Sequence, residues 1–91
     1  LVGVFSPDLR PAATALTAQL REAGIRAELM LQDRKVGQQF NYADKKGIPL
    51  VVLQGPDEAA RGEVKVKRLR DGVEVTVASA VLADTVRDML A

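Results

Sequence analysis

An acidic side chain in a loop, followed closely by lysines on one face of a strand, is an arrangement suited to reading nucleobases. Here Glu58 lies in the run Gly55-Pro56-Asp57-Glu58, and Lys65, Lys67 and Arg68 come shortly after it. A carboxylate can accept hydrogen bonds from base amino or imino groups, while lysines meet bases or phosphates. A solvated loop and an aggregation-resistant edge strand would carry the same residues. A second group falls within 38–46: Gln38, Gln39, Asn41, Tyr42, Lys45 and Lys46. Amides and a phenol on one segment suit hydrogen bonding and stacking with unpaired bases, and they equally suit an ordinary polar helix face. A third group, Lys65, Lys67, Arg68 and Arg70, is basic but diluted by Glu63, Asp71 and Glu74.

Other chemistries have less to work with. There is no cysteine and no histidine among the 91 residues. That removes disulfides, thiolate nucleophiles and Cys-ligated zinc, together with the commonest general base and transition-metal ligand. Composition therefore leans against a hydrolase or redox domain. No catalytic residue, metal ligand or cofactor-binding residue is assigned. Neither a dinucleotide-binding glycine pattern nor a phosphate-binding P-loop occurs, so Gly55 and Gly62 read as turn residues. No apolar run approaches the roughly 20 residues of a membrane span, and the first residues read as a strand rather than a secretion signal. With 13 basic and 12 acidic residues the net charge is +1, so any contact with nucleic acid should use a local patch and base edges.

The elements that would position these groups follow from periodicity. Residues 1–5 (LVGVF) form an apolar strand ending at Ser6-Pro7. Residues 8–23 read as a helix with Pro11 in its first turn, Leu16, Leu20 and Ala23 on one face, and Gly24 beyond its end. Residues 25–31 alternate as a second strand. Asp33 is placed to cap a helix over 34–46 with Val36, Phe40 and Ala43 as its apolar stripe. Gly37 within it costs about 1 kcal/mol against alanine, which suggests close approach by another group. Leu50-Val51-Val52-Leu53 has no polar member, as a central strand covered on both faces requires. Residues 57–61 suit a short helical turn. Val64 and Val66, then Val73, Val75 and Val77, alternate with polar residues around Asp71-Gly72, a hairpin signal. Ser79 is placed to cap a last helix. The order is βαβαβββα: one α/β domain over 1–91, three-layered (α/β/α), with three helices and a mixed five-stranded sheet of order 2-1-3-4-5 in which strand 4 is antiparallel.

Three stretches carry a resemblance. LREAGIRAEL, KVGQQFNYADKKGIPLVVLQG and GPDEAARGEVKVKRLRDG resemble, in order and spacing, the anticodon-binding domain of class II aminoacyl-tRNA synthetases. Among the histidine, threonine, proline and glycine enzymes that share this domain, the Gln-Phe-Asn-Tyr-Ala-Asp-Lys-Lys-Gly pattern is most similar to the C-terminal domain of the histidine enzyme. The resemblance implies a tRNA anticodon stem-loop, tRNA-His, as partner. It places Glu58 and Lys67 in anticodon contact, with the helix carrying Gln39 and Tyr42 beside them; the candidate residues read above, Lys65, Gln38 and Arg68, complete the RNA-binding set. It further implies a longer parent chain, cytoplasmic and homodimeric, whose separate catalytic domain uses ATP, while this domain holds no cofactor and catalyses nothing. The sequence departs from the family pattern at Pro56, where an acidic residue is frequent, and at Arg68, where the histidine enzyme often has Asp.

Rival readings share these features: a synthetase-like regulatory subunit that no longer charges tRNA, a small-molecule-binding α/β domain, and a dimerisation module. The loop position of Glu58 also predicts that removing its side chain weakens RNA binding and leaves thermal stability nearly unchanged.

Overall fold

The structure, a computed structural model, describes residues 1–91. Four helices form: α1 (Arg10–Glu22), α2 (Val36–Lys45), α3 (Pro56–Arg61) and α4 (Leu82–Leu90), with single 3-10 turns at Pro7–Leu9 and Ser79–Val81. Three strands, β1 (Leu50–Leu53), β2 (Glu63–Arg68) and β3 (Glu74–Ala78), make an antiparallel sheet in chain order. Leu50 pairs with Arg68 and Leu53 with Lys65; Lys67 pairs in turn with Glu74 and Lys65 with Thr76.

Alternation along these strands decides what covers each face. Leu50 and Val52 join Val64 and Val66 in one buried cluster with Leu16 and Leu20 of α1 and with Leu82 and Val86 of α4. Burying a Val or Leu side chain contributes about 1.5–3 kcal/mol, so this face holds most of the core. The other face is covered by α2, but only over β1, where Val51, Ala43 and Gln39 are buried. Beyond β1 that face is left to Lys65 and Lys67 of β2 and to the exposed Glu74 and Thr76 of β3.

The sheet has three strands rather than the expected five. Residues 1–5 and 25–31 do not extend it as strands; each contributes isolated parallel bridges, Val2 to Leu29 on one side and Val2 to Val52 on the other. The bonds are well formed, with Val2 N–H on the Glu28 carbonyl at 2.7 Å and Met30 N–H on the Val2 carbonyl at 3.0 Å. The next rung would join Val4 N–H to the Met30 carbonyl. Instead the Val4 N–H donates to Gln39 Oε1 at 2.8 Å, and the Met30 carbonyl accepts from Arg10 Nη1 at 2.8 Å. The Gln39 amide also donates to the carbonyls of Val4 (2.6 Å) and Arg34 (2.8 Å). A side-chain carboxamide thus stands in for the neighbouring peptide and ends the ladder. Gly3 is required beside it, because a Cβ there would lie 2.9 Å from Gln39 Oε1.

Smaller differences have similar causes. The cap of α2 is Lys35 rather than Asp33, and its N–H is satisfied by Gln38 Oε1 at 3.1 Å. Asp33 lies instead 3.5 Å from Arg10. Ser79 does not cap a helix; its hydroxyl bonds the Gly62 carbonyl at 2.9 Å. Gly37 has nothing within 4 Å of where its Cβ would be, so no close approach explains it.

Gln39→Leu keeps the volume but strands the buried N–H and carbonyl of Val4. Urea denaturation should show a loss of roughly 3 kcal/mol, since each unsatisfied buried group costs about 1–3. An unchanged midpoint would mean that the ladder simply reforms.

Candidate functional site

The C-terminal tips of the parallel runs, where α/β folds hold ligands, are formed by Phe5-Ser6, Gln32-Asp33 and Gln54-Gly55. Glu58 is close by, on α3, which begins at Pro56 with Gly55 as its cap. The residue is 8% exposed. Oε1 accepts the Gly55 N–H at 3.0 Å, and Oε2 lies 3.7 Å from Arg61. This is half of a capping box, in which the third helical residue satisfies the cap's own amide. Glu58 therefore builds the loop it stands in.

The register brings Lys65 to this end, opposite Leu53, and sets Lys67 two residues further down, opposite Val51. Both share the face that carries α2. Lys67 Nζ lies 5.1 Å from the centroid of the Phe40 ring on α2, a cation–π distance. Arg68 is not brought together with them. It pairs opposite Leu50, at the far end of β1, and alternation turns it to the other face. Its guanidinium bonds both Asp71 carboxylate oxygens at 2.8–3.1 Å. Those bonds, more than any other influence, hold the Asp71 carboxyl below its ordinary value and raise Arg68 further above its own.

The α2 residues divide too. Gln39 is 1% exposed and fully engaged with backbone, so it is not on the polar face expected for it. Gln38, Asn41, Tyr42 and Lys45 do share an exposed flank, which with Arg34 and Lys46 borders an open pocket of about 520 Å³. The Tyr42 hydroxyl donates to Glu28, a bond that holds the phenol protonated above its ordinary value. Arg34 and Lys46 lie 5.7 and 5.8 Å from its ring centroid. Phe40 and Lys67 are on the opposite flank of α2, since residues two apart diverge by about 200° around a helix. The expected site is thus two surfaces: strand tips with the lysine ribbon, and the Tyr42 flank.

Charge is apportioned between residue types. Arg10, Arg61, Arg68 and Arg87 are in ion pairs with carboxylates, and no lysine is. The ammonium groups at 35, 45, 46, 65 and 67 and the guanidinium groups at 21, 26, 34 and 70 are therefore the side-chain cations outside ion pairs. Sequence reasoning missed Phe5 and Arg34. Phe5 ends an apolar run and reads as core, yet it is 47% exposed. The period-two pattern was the available signal: with Val2 and Val4 inside, Phe5 falls on the other side.

A family model described as an anticodon binding domain matches residues 1–89. The histidine–tRNA ligase of Bradyrhizobium diazoefficiens is 44% identical over 81 residues, 88% of this chain and 16% of that protein. That of Stenotrophomonas maltophilia is 39% identical over 87 residues, 96% of this chain and 19% of that protein. The crystal structure of histidyl-tRNA synthetase from Nostoc sp. PCC 7120 superposes with a TM-score of 0.94 at 37% identity, over 99% of this chain and 22% of that one. The chain thus spans under a quarter of the length of each of these relatives.

Two outcomes follow from the local geometry. Glu58→Ala leaves the buried Gly55 amide without a partner, so stability should fall by about 1–2 kcal/mol, lowering Tm by roughly 4–8 °C per kcal/mol. That replaces the expectation of an unchanged melt; a calorimetric Tm equal to wild type would restore it. The second concerns acid. A depressed folded pKa means that Asp71 stabilises the turn above the ordinary carboxylate value of about 3.9 and ceases to as pH falls through its lowered one. In an NMR titration Asp71 should titrate below that value, and Arg68→Ala should return it towards it.

Proposed function

This chain belongs to the anticodon-binding domain family, and from that premise we propose that it recognises a tRNA anticodon loop as one domain of histidine–tRNA ligase. The observation that carries the reading is the family match over 1–89, supported by histidine enzymes of 39–44% identity along nearly the whole chain. The geometry fits a reader of unpaired bases. Lys65 and Lys67 stand on the sheet face that α2 covers only over β1, Lys65 nearer the strand tips and Lys67 beside the Phe40 ring. Glu58 shapes the loop at that end through the Gly55 N–H, and in this reading its Oε2, 3.7 Å from Arg61, is the edge that meets a base amino group. Gln38 and Tyr42 offer an amide and an aromatic face on the other flank of α2. Gln39 acts by holding Val4, and Arg68 by holding the hairpin turn.

In this reading residues 1–91 are a single domain of a longer cytoplasmic, homodimeric parent. Amino-acid activation with ATP belongs to another domain of that parent, and this one binds no cofactor and carries no catalytic residue. Its ligand is the anticodon stem-loop of tRNA-His. Anticodon bases are unpaired, so they can be splayed and read along their edges. A near-neutral domain neutralises few phosphates, so its affinity should depend only shallowly on salt.

The test is titration of the chain with an RNA hairpin bearing the histidine anticodon and with scrambled-loop controls. Preference for the cognate loop is expected. Lys65→Ala and Lys67→Ala should each weaken binding and reduce the salt slope by about one. Equal indifference to all hairpins in dilute buffer would sink the proposal.

A further inference from the structure

The pocket at the strand tips has a wall that the preceding reading does not use. Because Gln39 interrupts pairing after Val2, the run ending at Phe5 and the run ending at Gln32 part instead of continuing side by side. Between them opens a pocket of about 300 Å³, bordered by Phe5, Ser6, Pro7, Arg10, Arg34 and Lys35 among others. Arg10 is committed to the Met30 carbonyl and Asp33. Lys35 is exposed and in no ion pair, and Arg34 is exposed with its Nε on Gln32.

Phe5 stands where the chain leaves neighbouring parallel runs in opposite directions, residues 1–5 toward α1 and β1 toward α3, which is where open α/β sheets place ligands. A Cβ on Gly55 would lie 3.5 Å from Phe5 Cδ2 and 3.7 Å from Cε2, so one edge of the ring packs on the side of that glycine. The residue as a whole stays 47% exposed. The backbone just before it is clamped on both its N–H and its carbonyl by Gln39. An exposed aromatic on a fixed backbone, beside cations with room around them, is the combination that holds unpaired nucleotides: the ring stacks a base and the cations take its phosphate.

We propose that Phe5 is the stacking platform for one unpaired base of the bound loop, with Lys35 and Arg34 receiving the adjoining phosphate. This rests on the RNA-binding reading above and adds to it a base subsite outside the acidic loop and lysine ribbon.

Hairpins carrying 2-aminopurine at each loop position in turn are titrated with wild-type chain, Phe5→Leu, Phe5→Tyr and Lys35→Ala. Wild type should quench one position. Phe5→Leu should abolish that quench and weaken binding roughly 5- to 150-fold, the equivalent of about 1–3 kcal/mol per stacked base. Phe5→Tyr should retain both, and Lys35→Ala should lower the salt slope by about one while leaving the quench in place. If wild type binds and no loop position is quenched, the platform is refuted without reference to any variant. The same holds if Phe5→Leu, with a native melt, binds and quenches as wild type does. If wild type binds no hairpin at all, the RNA-binding reading itself has failed and this subsite falls with it.

Discussion

The carboxamide of Gln39 is the contact on which the functional end of the molecule depends. It makes three hydrogen bonds to backbone groups of two different segments, in a position almost without solvent. A buried amide has four bonding sites in all, and leaving one empty costs about 1–3 kcal/mol. Such a group fixes geometry as much as it stabilises it. By replacing a peptide rung it stops two parallel runs from pairing to their ends, and the gap so made is the pocket beside Phe5. Arg10 completes the arrangement by occupying the Met30 carbonyl that the missing rung would have used.

The sheet beyond that point is asymmetric in a useful way. One face is covered by α1 and α4, which secures the fold through the valines of β2. The other is covered only over β1, so β2 and β3 show a wet face while remaining anchored from behind. A ribbon held on one side can carry lysines on the other without loosening. The Phe40 ring draws Lys67 back over α2, whereas Lys65 stands nearer the tips. Cations on a rigid support lose less freedom on binding than cations on a mobile loop.

Much of this was legible in the sequence. The unbroken apolar run 50–53, the alternation of Val64 and Val66, and the helical spacing of Leu16 with Leu20 each name an element and its buried side. What failed to show was side chain meeting backbone at long range. Nothing local distinguishes Gln39 from Gln38, yet one is a buried clamp and the other an exposed cap, because only Gln39 projects toward Val4, 35 residues away in sequence. The same blindness turned two bridged runs into full strands. In the sequence Glu58 reads as a free loop carboxylate for the complementary reason. Its partner amide at Gly55 is local, but the capping box becomes visible only once Pro56 is recognised as the first residue of a helix.

The division of labour among basic residues bears on how such a domain could discriminate. Arginines at 10, 61, 68 and 87 are neutralised internally, which lowers the long-range field and with it any sequence-blind attraction to phosphate. Binding must then come from short-range contacts, which operate only when a base is correctly seated. Tethering such a domain to a larger RNA-binding body would strengthen its hold, because linkage raises effective concentration without adding a contact. Low net charge is thus not at odds with RNA recognition. It suppresses the background against which a few well-placed groups at the strand tips have to be felt.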